Sequence, residues 1–328
     1  MDIKYIKGDI KYIKEMVDVW NDEYGDNHYL KPVTIESYKE KLDSISFFSW
    51  DNTILATLNN KVVGFIIYFN MPKLIENKEN GAIISQLLVL KEYRNKGIGT
   101  KLLNMAIDYF KSFGKTKVAF KYFLPACYPW YIPNTNKHDH PCEPGIRINS
   151  SEYLYLLHRG FQAFAFQDAF HANLETYEIS EKVLECIERN KKDGITIEVY
   201  DENKHYGIEE FIKDLNIYDF ETVIRSNLAL EKPYPFLVVS DNGKVVGWTG
   251  AMWNEESGRG HFDGIAILEK YRNRGLGKAL FSNLAYFNKM NGAKFMTFYT
   301  GLTNYARYIY MGAGFKIVQS FCYMEKRI

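Results

Sequence analysis

The stretch that decides the fold reads His261-Phe-Asp-Gly-Ile-Ala-Ile-Leu-Glu-Lys-Tyr-Arg-Asn-Arg-Gly-Leu-Gly-Lys278. Its first part, residues 261–268, is an apolar run with polar side chains at alternate positions, which predicts a strand. After a short polar loop, apolar residues recur at helical spacing over 276–290, which predicts a helix. Because Gly275 and Gly277 lack a Cβ, the loop can turn tightly and approach a ligand closely. The unpaired amides of the first helical turn then favour a pyrophosphate. Three cationic side chains add full charges: Arg272, Arg274 and Lys278.

The same pattern occurs a second time. Arg94-Asn-Lys-Gly-Ile-Gly99 follows the apolar run from Ile83 to Leu90 and opens an amphipathic segment from Ile98 to Phe113. The string Lys-Val-Val-Gly is also duplicated and begins at residues 61 and 244. One such glycine string alone is a weak signal. Its recurrence in the same context of strand, loop and helix indicates two copies of one domain.

Both strings match the pattern Gln/Arg-x-x-Gly-x-Gly/Ala, and in this the chain resembles the GNAT superfamily of N-acetyltransferases. The resemblance extends over two tandem domains and most of the chain. It implies an α/β fold with a mixed sheet in each half, in which two parallel strands splay apart and admit acyl-CoA. In the C-terminal half those strands would be 262–268 and 294–300. The implied cofactor is acetyl-CoA, without a metal.

The resemblance also implies which residues contact acetyl-CoA. In the C-terminal half they include backbone groups of Ile265 and Ile267, and Asn304, which lies one position away from the family's asparagine. The other contacts expected there are Arg272, Asn273, Arg274, Gly275, Leu276, Gly277 and Lys278. Those expected in the N-terminal half are Leu87, Val89, Arg94, Asn95, Lys96, Gly97, Ile98, Gly99 and Thr100.

Acetyl transfer to an amine needs a base for the ammonium and an acid for the departing thiolate. By the family's register, the C-terminal base positions are His261 and Asp263, and the acid position is Tyr310. A histidine suits base work at neutral pH, whereas Asp263 could instead orient it or bind the substrate ammonium. The N-terminal half has Ile83 and Ser85 at the base positions and Leu156, next to Tyr155, at the acid position. We therefore expect a catalytic C-terminal half and a degenerate N-terminal half, an arrangement familiar from tandem members such as mycothiol synthase.

The expected domain boundaries follow from the repeat. Residues 1–178 form the N-terminal domain and residues 194–328 the C-terminal domain, with a charged linker helix over 179–193. Residues 123–149 are rich in proline and aromatic residues, which predicts an irregular insert in the N-terminal domain.

Composition excludes several classes of protein. The 328 residues are 46% hydrophobic and 25% charged, as in globular domains, and the net charge of +1 argues against a nucleic-acid partner. No apolar run approaches the roughly 18–20 residues of a membrane span, and the first residues do not resemble a signal peptide. The loop residues His138, His140 and Cys142 lack the spacing of a metal site. The four cysteines are far apart, so we expect reduced thiols in a cytoplasmic protein.

These observations predict an acetyl-CoA-dependent N-acetyltransferase. Its acceptor would be a primary amine of a small-molecule, aminoacyl or peptide substrate, attacking directly in a ternary complex as a monomer or homodimer. Two alternatives stay open. One is an acyl-CoA-binding regulator or sensor without turnover, and the other is an N-terminal half made active by its unusual 123–149 loop.

Overall fold

The computed structural model divides the chain into two compact units. Unit 1 contains Met1–Asp168 and Gln319–Ile328, and unit 2 contains Ala169–Val318. The residues that the structure describes are 2–24, 29–46, 48–70, 82–120 and 127–328. Among them, no helix is long and apolar enough to cross a membrane.

Unit 1 alternates strands and helices. Its elements are β1 (Lys4–Lys7), α1 (Ile13–Tyr24), α2 (Ile35–Asp43), β2 (Thr53–Leu58), β3 (Lys61–Asn70), β4 (Ala82–Val89), α3 (Ile98–Ser112), β5 (Lys117–Phe120), β6 (Trp130–Tyr131), β7 (Asp139–His140), β8 (Ile146–Arg147) and α4 (Ser151–Leu157). Strand β9 (Gln162–Asn173) begins in unit 1 and ends in unit 2.

Unit 2 repeats the order. Its elements are α5 (Glu181–Lys192), β10 (Ile195–Val199), α6 (Ile208–Leu215), α7 (Tyr218–Leu228), β11 (Leu237–Asp241), β12 (Lys244–Thr249), β13 (Ile265–Ile267), α8 (Leu276–Met290), β14 (Phe295–Gly301) and α9 (Ala306–Gly312). Strand β15 (Lys316–Arg327) begins in unit 2 and ends in unit 1.

The sheet of unit 1 has the strand order β1-β2-β3-β4-β5-β15. Strands β4 and β5 are parallel, with Ile83 opposite Ala119, whereas β5 and β15 are antiparallel. Side chains of successive strand residues point to opposite faces, yet β3 is buried from Val62 to Phe69. Helices α1 and α3 both contact β3, so its two apolar faces are covered.

In unit 2 the predicted splayed strands are confirmed. Strands β10 to β13 form one antiparallel sheet, while β14 lies beside β9 in another, and no ladder joins β13 to β14 in this fully described unit. Ahead of the gap, one parallel bridge joins Arg259 to Phe295. The strand predicted over 261–268 is shorter than expected. Gly264 has a φ of 138° with the Phe220 ring against it, so residues 261–264 leave the ladder.

The predicted domain division differs from the units of the structure in three places. Residues 169–178, predicted to end the N-terminal domain, belong to unit 2. Residues 319–327 belong to unit 1 because the end of β15 pairs with β5, as Met324 does with Phe120. The helix predicted as a linker is α5, and it is a packed part of unit 2. It contacts α8 and β10 and buries Val183, so it does not merely connect two domains.

The described part of the insert, residues 127–149, is more ordered than its composition predicts, and residues 123–126 lie outside the described residues. Strands β6 and β7 form a hairpin that brings Cys127 within 4.6 Å of Cys142, measured between Cα atoms, and the two form a disulfide. The prediction of reduced thiols is therefore wrong for this pair, while Cys186 and Cys322 are free. His140 Nδ1 lies 2.7 Å from the Cys142 carbonyl oxygen. In the described parts of the chain no cluster of three His, Cys, Asp or Glu side chains could hold a metal ion.

Candidate active site

The two glycine loops, which we name loop A (residues 94–99) and loop B (residues 272–277), adopt the same backbone conformation. Asn95 and Asn273 have φ values of 58° and 63°, and Gly97 and Gly275 have φ values of 80° and 81°. Glycine populates this left-handed region without strain, and asparagine tolerates it. The repeated string is therefore a repeated turn that ends where α3 and α8 begin.

An arginine anchors each loop to the strand before it. Arg94 Nε donates to the Val89 carbonyl at 3.0 Å, and Arg272 Nε donates to the Ile267 carbonyl at 3.3 Å. The first amides of each following helix have no acceptor within the helix and carry the positive end of its dipole. Each loop thus presents backbone donors suited to an anion.

Loop A opens on a cavity of about 480 Å³. A Cβ at Gly97 would meet nothing within 4 Å among the described residues. Lys96 is the one predicted N-terminal contact absent from the described lining, and its Nζ donates to the Glu92 carbonyl at 2.8 Å. The predicted contacts that line the cavity are Leu87, Val89, Arg94, Asn95, Gly97, Ile98, Gly99 and Thr100.

Helix α4 forms another wall of this cavity, and of its side chains the sequence pointed only to Tyr155 and Leu156. The helix begins where the Ser150 hydroxyl accepts from the Tyr153 amide. The Arg159 guanidinium lies 3.5 Å from the centre of the Tyr155 ring and donates to the Thr100 hydroxyl at 2.7 Å. Burial raises the pKa of Tyr155, and the Thr100 hydroxyl and Arg159 partly offset this. The sequence signal for this wall was the position of α4 directly ahead of the pair Gly160-Phe161. The other α4 side chains on the wall are Ser151, Glu152, Leu154 and Leu156, and His158, directly after the helix, also lines it.

Loop B is packed against α5 instead. The Arg274 carbonyl accepts from Asn190 Nδ2 at 3.2 Å and lies 3.3 Å from the Cys186 thiol. The Arg274 side chain bonds Asn190 Oδ1 and forms an ion pair with Asp193, so its charge is already neutralised within unit 2. A Cβ at Gly275 would lie 2.6 Å from Cys186 Sγ. The space that loop A leaves open is therefore filled at loop B.

Two further predicted contacts of the C-terminal half are engaged locally. Asn304 Oδ1 accepts from the Ala306 amide at 2.9 Å and thereby caps the turn before α9. The aliphatic part of Lys278 lies against Gly312, where a Cβ would be 2.5 Å from Lys278 Cε. Both side chains contribute to the packing of α9.

The predicted base positions meet in unit 2. His261 Nε2 lies 2.5 Å from Asp263 Oδ1, and the imidazole stacks on the Trp253 ring at 4.2 Å. Burial lowers the pKa of His261, but Asp263 and Glu255 outweigh it and the net change is upward. Burial raises the pKa of Glu255, but His261 and Arg259 lower it to about 2. His261 and Asp263 therefore form one hydrogen-bonded pair. That either of them is the base stays a prediction.

Tyr310, the predicted acid, lies in an aromatic cluster of unit 2. Its ring centre is 4.6 Å from that of Phe298 and 4.8 Å from that of Phe281, and the residue is 5% exposed. Burial raises the pKa of Tyr310 well above its ordinary value. A tyrosine held protonated can donate, so the geometry is compatible with an acid role, which stays a prediction.

The repeated fold, with a glycine loop ahead of a helix in each half, is the architecture of a tandem acyl-CoA transferase. A match to a family model identifies the family. The model of the GNAT acetyltransferase family matches residues 13–126 and 197–315, together well over half of the chain. The protein therefore belongs to the GNAT acetyltransferase family, with one family domain in each half.

Individual relatives agree with this assignment. An uncharacterized N-acetyltransferase of Archaeoglobus fulgidus is 34% identical over 80 residues, which cover 22% of this chain and 54% of that protein. The GCN5-related glucosamine N-acetyltransferase region of a fungal multi-domain GH3 β-N-acetylglucosaminidase has a TM-score of 0.68 at 14% identity, covering 99% of this chain and 38% of that one. A tandem GNAT protein from the clavulanic acid biosynthesis pathway has a TM-score of 0.57 at 13% identity, covering 99% and 98%. The chain spans about half or less of the first two relatives, and the structural likeness shows the fold alone.

Proposed function

We propose that this protein is an acetyl-CoA-dependent N-acetyltransferase that binds its acyl donor on loop A. The acceptor is a primary amine of a small-molecule, aminoacyl or peptide substrate, which attacks the thioester directly in a ternary complex. The observation that carries the proposal is the open cavity at loop A, lined by the positions that the family pattern assigns to acyl-CoA.

The chemistry of the cavity wall fits such a donor. A Cβ at Gly97 would stand in open space, so the backbone there is accessible to a pyrophosphate. Arg94 and Arg159 supply positive charge on the same wall as the unpaired amides of α3. Leu87 and Val89 offer a strand edge and apolar side chains to the uncharged arm of the donor.

A second candidate places the chemistry in unit 2. It is favoured by the contact between His261 and Asp263. Against it stands α5, which covers loop B through Cys186 and Asn190. If the chemistry takes place in unit 2, acetyl-CoA would have to approach loop B from the side that α5 does not cover.

The test is thiol release from acetyl-CoA with a panel of small primary amines, with mass spectrometry of the amine products. Transfer to one amine class with stoichiometric CoA release supports the proposal. Calorimetric CoA binding without transfer across the panel would instead favour a regulatory or sensor protein, and absence of CoA binding would refute both.

A further inference from the structure

Strand β4 of unit 1 extends past the described end of its ladder with β5. That ladder ends with Ile84 opposite Phe120, and β4 continues to Val89. Three residues of this extension, Leu87, Leu88 and Val89, line the cavity at loop A. Because side chains alternate along a strand, Leu88 points to the face opposite that of Leu87 and Val89. The cavity at loop A therefore has lining residues from both faces of β4.

The two faces of β4 have different neighbours. Val89 points to α3, since a Cβ at Gly99 would lie 3.6 Å from Val89 Cγ2. We name this side the α3 face. Gln86 points the other way, to α2, where the Tyr38 hydroxyl donates to Gln86 Oε1 at 2.6 Å. We name this side the α2 face. Under the proposed function the donor lies along loop A and the start of α3, so the amine has to approach the thioester from the α2 face.

The insert covers part of the α2 face. Gln86 Nε2 donates to the Tyr128 hydroxyl, and the Tyr128 ring centre lies 4.4 Å from that of Trp20 on α1. Gln86, Tyr38 and Tyr128 are all buried. Gln86 is two residues before Leu88 and therefore shares its face. On the α2 face, Tyr128 thus covers the β4 position next to one that lines the cavity.

The position of Tyr128 is fixed by its own backbone. Its carbonyl accepts from the Glu143 amide at 2.8 Å, and the neighbours of these two residues, Cys127 and Cys142, form the disulfide. Lys41 Nζ of α2 donates to the Cys127 carbonyl at 2.5 Å. A side chain held in this way forms a fixed wall, and a fixed wall can select ligands by their size.

We propose that Tyr128 is a specificity-determining residue, which limits the acceptor of unit 1 to compact small-molecule amines and excludes peptide amino termini. This inference rests on the proposed function and narrows its acceptor class. A peptide continues beyond the residue whose amine reacts, so it needs a groove along the α2 face. At Gln86 that face is filled by the rings of Tyr38 and Tyr128. A pocket that admits or excludes one methylene group changes kcat/KM by about 10–200-fold.

The experiment measures kcat/KM for three amines of increasing size, with CoA release from acetyl-CoA as the readout. The probes are ethylamine, phenethylamine and triglycine. Wild type should have its highest kcat/KM with ethylamine and its lowest with triglycine. Tyr128→Ala removes the ring from the α2 face and should raise the ratio of phenethylamine to ethylamine at least about tenfold. If that variant does not fold, Tyr128→Leu should shift the ratio in the same direction by less.

Two variants separate the size of Tyr128 from other effects. Trp130→Ala removes another buried ring of the same hairpin, one that lies 5.2 Å from the Phe321 ring and donates to the Cys142 carbonyl. It loosens the hairpin without opening the α2 face at Gln86, so the wild-type ratio of phenethylamine to ethylamine should remain. Tyr128→Phe loses the hydrogen bond from Gln86 but keeps the ring, and it too should keep that ratio. Urea unfolding checks that each variant is folded.

The outcomes separate this inference from the proposed function. Wild-type protein that binds CoA but acetylates no amine refutes the proposed function, and the role of Tyr128 falls with it. Active wild type that prefers triglycine, or a folded Tyr128→Ala with the wild-type ratio, overturns this inference alone. An equal shift in Trp130→Ala would also overturn it, because loosening of the hairpin would then suffice. Calorimetry adds a readout without turnover: Tyr128→Ala should still bind CoA, and loss of binding would place Tyr128 in the donor site instead.

Discussion

Replacing Gly97 and Gly275 by alanine, one at a time, compares the two loops under matched conditions. Both glycines have a φ near 80°, so alanine meets the same backbone strain of about 1–2 kcal/mol at either position. Their surroundings differ. A Cβ at Gly97 meets nothing within 4 Å among the described residues, whereas a Cβ at Gly275 lies 2.6 Å from Cys186 Sγ. Gly275→Ala should therefore lose about 1–3 kcal/mol more stability, since overpacking adds to the strain.

The effect on ligand binding should be the reverse of the effect on stability. At Gly97 the added methyl group stands where the backbone would approach the pyrophosphate, and we expect CoA affinity to fall at least about tenfold, or roughly 1.4 kcal/mol. Gly275→Ala should leave CoA affinity within about twofold if the donor binds on loop A, well under the 1.4 kcal/mol of a tenfold change.

Urea unfolding measures the stability changes, and calorimetric titration with CoA measures affinity on the folded variants. Adding Cys186→Ala to Gly275→Ala removes the overlapping sulfur and should recover the extra loss, which controls for general damage at loop B. The reasoning is refuted if Gly275→Ala weakens CoA binding while Gly97→Ala does not. That result would place the donor in unit 2 beside His261 and Tyr310.

Three other changes test separate parts of the structure. Cys127→Ser with Cys142→Ser opens a loop of 15 residues and should lower the free energy of unfolding by about 3 kcal/mol in urea titrations, and no change would indicate that the disulfide does not form. Arg159→Ala should weaken CoA binding about tenfold by calorimetry, or roughly 1.4 kcal/mol, and unaltered affinity would exclude α4 from the donor site. The raised pKa of His261 contributes stability that is full below about pH 6.5 and is lost as pH rises through the folded-state pKa. The urea midpoint of the wild type should therefore fall as pH rises across this range, and that of His261→Gln should fall less. An equal fall in both proteins would contradict the pairing with Asp263.

Periodicity located the repeated elements well, because each depends on residues close together in sequence. Helix α8 occupies Leu276–Met290, as the helical spacing predicts, and α3 ends one residue before the predicted limit. The strand over 261–268 was predicted too long because its alternation continues through Gly264. The ladder ends at Gly264, which has a φ of 138° and lies against the Phe220 ring, a neighbour distant in sequence.

The site was less predictable, because its decisive contacts are long-range. The charged pattern of α5 predicts a helix but carries no sign that Cys186 and Asn190 bond the Arg274 carbonyl. A glutamate in a proline-rich loop is expected to be exposed. Glu143 is buried because the hairpin and the disulfide fold that loop inward. The family register points to His261 and Tyr310 as candidate positions, and their roles stay predictions. It contains no information on what covers loop B.

The two halves differ in their neighbours more than in their loops. Loops A and B have nearly equal dihedral angles, so either backbone presents the same donors to an anion. Tyr155 and Ile309 occupy equivalent places, each five residues before a Gly-Phe pair, Gly160-Phe161 and Gly314-Phe315. The Tyr155 hydroxyl would lie 3.3 Å from a Cβ at Gly99, and Ile309 Cδ1 would lie 2.9 Å from a Cβ at Gly277. Loop A thus has a polar wall and open space, and loop B has an apolar wall and α5. In this duplicated chain the turn itself is the same in both halves, so the side chains packed around each copy would decide which of them binds the donor.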